Sequence, residues 1–444
     1  MKKTYFLLIP LFSFSQVKFP MIPQPTDFQK YGNPNIVQPP KSLDIFYGTN
    51  EQQIIQKNNQ QIIHDFQQHE KQKQELLNNL KKEINSENKP DNLNYNLPSL
   101  SNIKGTEYYR NLFVKMHNLN TENYSIKDVN FEIENAFFEN KKDKAQFDQV
   151  IKQSTDYILA KMKESKYDLN SNTAKNYSLF QFFSETIQLK NDTRKHLPFK
   201  YDFEDYIGKK DYSKTFVIKL AEYHSGQCRS MPLFYLMLAE QIGAKAQLAF
   251  SPNHSFIKFS DENDKWYNIE LTNGMFTTNS FMINSGYIKA EALQNEIYLK
   301  SLSKKELLSQ FYVDLANGYI HKFGYDDFIE KITEKALQLY PDNVHAQMIK
   351  ANYNAIKFEF VVKQLGINPR DKEQLQKIKN YPKVIALLKK ANSESQKVEN
   401  LGFTEMPAEE YQKWLSSLKQ AKRKQENEAF KGEFNMKIKN NFKD

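Results

Sequence analysis

Residues 225–272 read SGQCRSMPLFYLMLAEQIGAKAQLAFSPNHSFIKFSDENDKWYNIELT, and the pattern of this stretch decides the fold class. Ser225-Gly226 breaks a helix predicted over Tyr212–Tyr223. A second helix is predicted to start at Cys228 and to run through CRSMPLFYLMLAEQI, with Gly243 as its stop. Three strand-like runs follow, Lys245–Phe250, Ser255–Phe259 and Lys265–Leu271, and the polar SDEND segment at Ser260–Asp264 supplies the turn between the last two. One helix handing over to an antiparallel meander is an α+β signature.

Cys228 is the only cysteine of the 444 residues, so no disulfide can form within the chain. The first residues, MKKTYFLLIPLFSFSQ, read as an export signal. Lys2 and Lys3 give the positive start, Tyr5–Phe14 the short apolar run, and Ser13 and Ser15 the small residues ahead of a cut before Gln16. The expected location is the periplasm or the extracellular space. No later run approaches the ~18 uninterrupted apolar residues of a membrane span, so no transmembrane segment is expected in the mature chain. A lone thiol in an oxidising space is a reactive group or a pairing site with another chain.

Outward from the central stretch the chain divides by composition. Residues 1–15 are the signal and 16–100 a Pro-, Asn- and Gln-rich leader. Within that leader an amphipathic helix is predicted over Glu51–Ile84, carrying Ile55, Ile62, Phe66, Leu77, Leu80 and Ile84 on one face. Residues 101–200 read as helical; Lys144–Met162, with Asp143 as N-cap, is the clearest segment, and the aromatic Tyr177–Ile187 reads as core. Residues 201–300 hold the α+β core, 301–370 return to helices, and 371–444 form a Lys-rich helical tail read as solvated, with Lys419, Lys422, Arg423 and Lys424 clustered. The net charge of +9 is spread along the chain without a nucleic-acid module, so it is read as solvated surface and nucleic acid is not an expected partner.

Thiol catalysis needs a thiolate, a base that takes and returns its proton, and a group that orients the base. A helix start at Cys228 favours the anion through its unpaired N–H groups and dipole, and Arg229 adds positive charge nearby. Gly226 allows a tight turn and close approach of substrate. The backbone N–H of Cys228 is the natural oxyanion donor, with Gln227 or His224 as a second. His254 opens a strand after Pro252-Asn253. If the next hairpin pairs symmetrically about Glu262, Glu270 stands across from it to fix its tautomer. Asn268 and Thr272, two residues either side of Glu270, share its face and are read as supporting groups. No second cysteine, HExxH helix or histidine pair suggests a metal, and no cofactor is implied.

At these residues the sequence resembles the transglutaminase-like superfamily of papain-related thiol proteins. The matching stretches are Gly226-Gln227-Cys228-Arg229, His254-Ser255-Phe256 and Trp266-Tyr267-Asn268-Ile269-Glu270-Leu271-Thr272, with Glu270 where that pattern usually has Asp. The resemblance implies a papain/transglutaminase-like core, a helix bearing Cys228 against antiparallel strands bearing His254 and Glu270. It also implies a catalytic Cys228–His254–Glu270 triad. Further along, ALQLYPDNVHAQMIKANY (Ala336–Tyr353) resembles one tetratricopeptide unit handing over to the next, on Ala336, Pro341 and Ala346.

Two functions follow as expectations. In the first, the chain is an exported thiol peptidase, amidase or acyltransferase acting on a peptide or protein substrate. In the second, it is a catalytically inactive peptide-binding or scaffold protein that recruits protein partners through its helical repeats.

Overall fold

The computed structural model describes residues 93–420, apart from 191, 194, 204, 207, 209, 284 and 285. The export signal, the helix expected over Glu51–Ile84 and the cluster Lys422, Arg423 and Lys424 lie outside the described residues.

The helix predicted from Cys228 is assigned over Ser230–Ile242. Its first hydrogen bond, Met231 N–H to the Gln227 carbonyl, already spans Cys228, so the cysteine sits in the opening turn. Every residue except Glu240 and Gln241 is buried, as befits a helix that is apolar all round. Pro232 is tolerated because it lies in the first turn, where an N–H is not required. It cannot donate to the Cys228 carbonyl, and the Ser255 hydroxyl does so instead. Gly243 ends the helix in the left-handed region, at φ 65°.

Helices Ile126–Phe137, Lys144–Glu164, Asn172–Ser184 and Val217–Tyr223 surround this central helix on one side. Asp143 caps Lys144–Glu164 as expected, accepting from the amides of Ala145 and Gln146. The other side of the central helix meets a four-stranded antiparallel meander of Gln247–Ser251, His254–Ser260, Trp266–Glu270 and Met275–Thr277. The fourth strand was not expected; it is three residues long, below the length at which alternation can be read. The outer edge of Gln247–Ser251 is covered by backbone bonds from Leu299 to Phe250 and from Leu302 to Leu248, each 2.9 Å.

The predicted helix over Tyr212–Tyr223 is broken at Phe216 into a 3₁₀ turn, Tyr212–Thr215, and the helix Val217–Tyr223. Buried Glu134 accepts from the amides of Val217 and Ile218 and so caps this new start. Ser225-Gly226 is a short parallel ladder, Lys200 opposite Ser225 and Tyr201 opposite Gly226.

After residue 300 come Lys304–Phe323, Asp327–Leu339, Val344–Gln364 and Pro382–Asn400, each packed on the next in the chain. Ser303 and Glu306 form a capping box at the first of them. Ala336 and Ala346 are fully buried between these helices. One apolar core runs from Leu97 to Leu415, so the helical and α+β segments share it. The tail departs from its reading as a solvated helix. Ala408–Gln420 buries Tyr411 and Leu415 to 1% exposure each against the rest of the chain. The described chain is thus α+β, mostly helical with small sheets.

Gly226 has no room for a side chain: an added Cβ would lie 2.6 Å from Ser230 Oγ and 2.8 Å from Leu220 Cδ1. Gly226→Ala is therefore expected to cost about 1–3 kcal/mol of stability by overpacking, measured by chemical denaturation. An unchanged midpoint would show that the turn before Cys228 relaxes freely.

Candidate active site

Three local structures deliver the three side chains. Cys228 is held in its turn by the Ser230 hydroxyl, which accepts from the Gln227 amide at 2.9 Å, and by the Ser255 bond to its carbonyl. His254 follows the two-residue turn Pro252-Asn253, in which Asn253 takes the left-handed conformation at φ 56°. Asparagine tolerates that region better than most side chains. Glu270 ends the neighbouring strand.

The hairpin between His254 and Glu270 pairs Ile257 with Ile269 and Ser260 with Trp266, so it is centred on Asn263 and not on Glu262. Asp261 draws the turn this way, its carboxylate accepting from the amides of Asn263 and Lys265 at 2.9 Å each. Continuing the register puts Glu270 beside Phe256, diagonal to His254 on the same face. A diagonal neighbour stands farther off than a direct one, within reach of a long side chain. Glu270 covers that distance: its Oε2 lies 2.6 Å from His254 Nε2. Its other oxygen accepts from the Thr272 amide at 2.8 Å.

With Nε2 engaged by the carboxylate, Nδ1 is the imidazole nitrogen left for proton exchange. It faces the Tyr411 hydroxyl at 3.3 Å, and that hydroxyl lies 3.6 Å from Cys228 Sγ. Cys228 as a residue is half-buried, and its sulfur also lies 3.9 Å from the Asn253 carbonyl. The His254 side chain has no solvent exposure and Glu270 has 1%. Burial alone would discharge all three groups. For His254 burial is outweighed by the Glu270 carboxylate and the Cys228 sulfur, which push the imidazole up to about 10. For Cys228 burial pushes the thiol up, and hydrogen bonding and charge from His254, then Tyr411 and Tyr201, bring it below the ordinary thiol value. Glu270, likewise raised by burial, is held below the usual carboxylate range by His254 and Thr272. The site thus draws the thiol down and the imidazole up.

The other residues singled out in the sequence have different tasks. Arg229 points away from the sulfur, into Glu134 at 3.3 Å and Asp314 at 3.2 Å, and donates to the Thr215 carbonyl at 3.0 Å. Its charge anchors the turn rather than assisting the thiolate directly. Gln227 is fully buried and its amide donates to the Asp205 carbonyl, so it is committed to the loop and not to an oxyanion. His224 lies flat on Phe199 at 3.9 Å between ring centroids, with Nε2 3.0 Å from the Leu197 carbonyl; burial pulls its pKa down to about 4. It packs the neighbouring ladder instead of serving Cys228. Gly226 permits close packing on Leu220 and Ser230, not a substrate approach. Asn268 donates to Asn279 Oδ1 at 3.0 Å, away from His254, whereas the Thr272 amide supports Glu270. Among the described residues no group of three His, Cys, Asp or Glu could hold a metal ion.

Two tyrosines and a tryptophan at the site were not anticipated. Tyr201 and Tyr411 influence the sulfur, and Trp414 meets the His254 ring edge-on at 4.8 Å. Tyr411, Trp414 and Leu415 recur at helical spacing, a signal for a docked face that the charge of the tail masks. Comparison of the chain with protein-family models, with curated proteins and with solved structures finds no match.

The pairing of thiol and imidazole has a pH signature. The ultraviolet absorbance of the Cys228 thiolate, read as wild type minus Cys228→Ser, should appear below the ~8.5 of a free thiol and move above it in His254→Ala. For stability the sign follows from proton counts. His254 is raised from ~6.5 unfolded to about 10 folded, so its contribution is complete below ~6.5 and is lost as pH rises through about 10. Denaturation midpoints should therefore fall more steeply on the alkaline side in wild type than in His254→Gln. Parallel alkaline limbs would show that no imidazolium is held.

Proposed function

We propose that this chain is a thiol enzyme of transglutaminase-like type that cleaves or transfers an amide bond of a peptide or protein, exported by its N-terminal signal. The observation that carries the reading is the 2.6 Å contact of Glu270 with His254 Nε2, which leaves Nδ1 for the thiol. In the first step Cys228 Sγ attacks the acyl carbonyl, and the backbone N–H of Cys228 at the helix start stabilises the oxyanion. As the C–N bond breaks, His254 gives its Nδ1 proton to the departing amine, leaving a thioester on Cys228. Water or a second amine then attacks the thioester and yields its proton to His254, which restores the thiolate–imidazolium pair. Glu270 carries no proton in either step; it orients the ring and stabilises its charge.

Helices Lys304–Phe323, Asp327–Leu339 and Val344–Gln364 support the part of the reading that joins a tetratricopeptide-like region to this core, because they stack in chain order on a shared apolar core. A second reading is favoured by one observation: Tyr411 and Trp414 cover His254, as a site retained for binding would allow. In that reading the chain is an inactive scaffold.

Acylation separates the two. Incubation with p-nitrophenyl acetate should place one acetyl group on Cys228, seen in the intact mass, and His254→Ala should slow its formation about 10²–10⁴-fold. Glu270→Asp shortens the carboxylate arm across the diagonal, and a displacement of this order is expected to cost about 10²-fold. Equal acylation of wild type and His254→Ala would favour the scaffold.

A further inference from the structure

The covering of the site is local and has a defined origin. The Tyr411 hydroxyl lies 3.6 Å from the Cys228 sulfur and 3.3 Å from His254 Nδ1, between nucleophile and base. A reacting carbonyl must come within ~3–3.5 Å of the sulfur with the proton donor beside it. The Tyr411 hydroxyl stands in that space. Its ring packs on Tyr206 with centroids 5.1 Å apart and stacks on Trp414 at 5.7 Å.

The cover is attached by one face. Tyr411 and Leu415 are buried, while Glu409, Gln412, Lys413, Ser416 and Ser417 are exposed. Beyond these side chains, Asn253 donates to the Met406 carbonyl at 3.0 Å and Tyr206 to the Ala408 carbonyl at 3.2 Å. Residues 403–407 have no helix or strand. Just before them Gly402 is pressed against Ala292, whose backbone nitrogen would lie 2.2 Å from an added Cβ. The chain is pinned at Gly402 and held again at Met406, Tyr411 and Leu415, all buried in the core. The described part of this helix, Ala408–Gln420, is seated through Tyr411 and Leu415.

We propose that Ala408–Gln420 is an internal occupant of the substrate site, which closes the thiol and whose Tyr411 seat receives an aromatic side chain of the polypeptide substrate once the helix leaves. This rests on the reading of Cys228 as nucleophile. The seat supports an aromatic occupant because Tyr206 offers it a ring face and Tyr201 another buried aromatic wall beside the sulfur. Tyr411 bound there remains a neutral hydrogen-bond donor, since burial and then the thiolate charge push its phenol well above the ordinary value.

Two measurements on the full-length chain test the occupancy. Alkylating Cys228 with excess iodoacetamide puts a carbamidomethyl group where the Tyr411 hydroxyl lies. Hydrogen exchange should then rise across 408–420 and stay unchanged across 230–242, and unaltered protection of 408–420 would overturn the proposal. In the variant Tyr411→Ala/Trp414→Ala, checked for a retained cooperative thermal transition, Cys228 should alkylate about tenfold faster or more than in wild type at the same pH, because the competent fraction rises. N-acetyl-tyrosine amide should slow that reaction while N-acetyl-alanine amide at equal concentration does not. Equal rates in the two proteins, or equal effects of the two amides, count against it. Neither readout requires turnover, so a displaced helix over a thiol of ordinary pKa would sink the catalytic reading and leave the occupancy standing.

Discussion

The arrangement depends on the buried charge cluster around Arg229. One guanidinium joins the turn bearing Cys228 to Glu134 on helix Ile126–Phe137 and to Asp314 on helix Lys304–Phe323. Glu134 in turn caps helix Val217–Tyr223, so four elements meet at one ionic node. Burial pushes Glu134 towards its neutral form, and Arg229 with the two amides is what opposes this. Breaking such a cluster by removing one partner costs about 3–5 kcal/mol, far more than its net contribution over a well-packed apolar replacement. Its value is therefore geometric: it fixes the turn ahead of the central helix from the side opposite the sheet. The sheet fixes it from the other side through Ser255, whose hydroxyl satisfies the carbonyl that Pro232 leaves without a donor.

Once Cys228 is fixed, the register of one hairpin decides whether the remaining groups can meet it. A turn centred on Glu262 would set His254 opposite Glu270, where a shorter carboxylate suffices. The Asp261 turn moves the centre to Asn263 and the acid to the diagonal. A glutamate, one methylene longer than an aspartate, suits this register. The extra methylene restores the contact with Nε2, and the Thr272 amide keeps the carboxylate from turning outward.

Much of this was legible in the residues, for identifiable reasons. The central helix, its Gly243 stop and the Asp143 cap are written in local chemistry, which needs no knowledge of distant partners. The meeting of Cys228 with His254 and Glu270 followed from element order. The roles of Arg229, Gln227 and His224 did not, because each is settled by a partner tens of residues away: Glu134 and Asp314, the Asp205 carbonyl, and the Leu197 carbonyl. A positive charge or an amide next to a nucleophile in sequence points at it only if nothing more distant claims it first. Tyr411 was missed for a similar reason, lying 183 residues from Cys228 in a tail whose lysines suggest solvent.

That long-range contact also changes what the electrostatics mean. Closing a site removes water, which strengthens the attraction between imidazolium and thiolate but also raises the cost of each charge. Here the phenol of Tyr411 supplies a donor to the sulfur, which with His254 holds the thiol below its ordinary value. A wall made only of apolar side chains would exclude substrate equally well, but it would push the thiol back to its neutral form. On the proposed reading this donor must leave before an oxyanion can form, which would couple the charge state of Cys228 to the position of helix Ala408–Gln420 through a single hydroxyl.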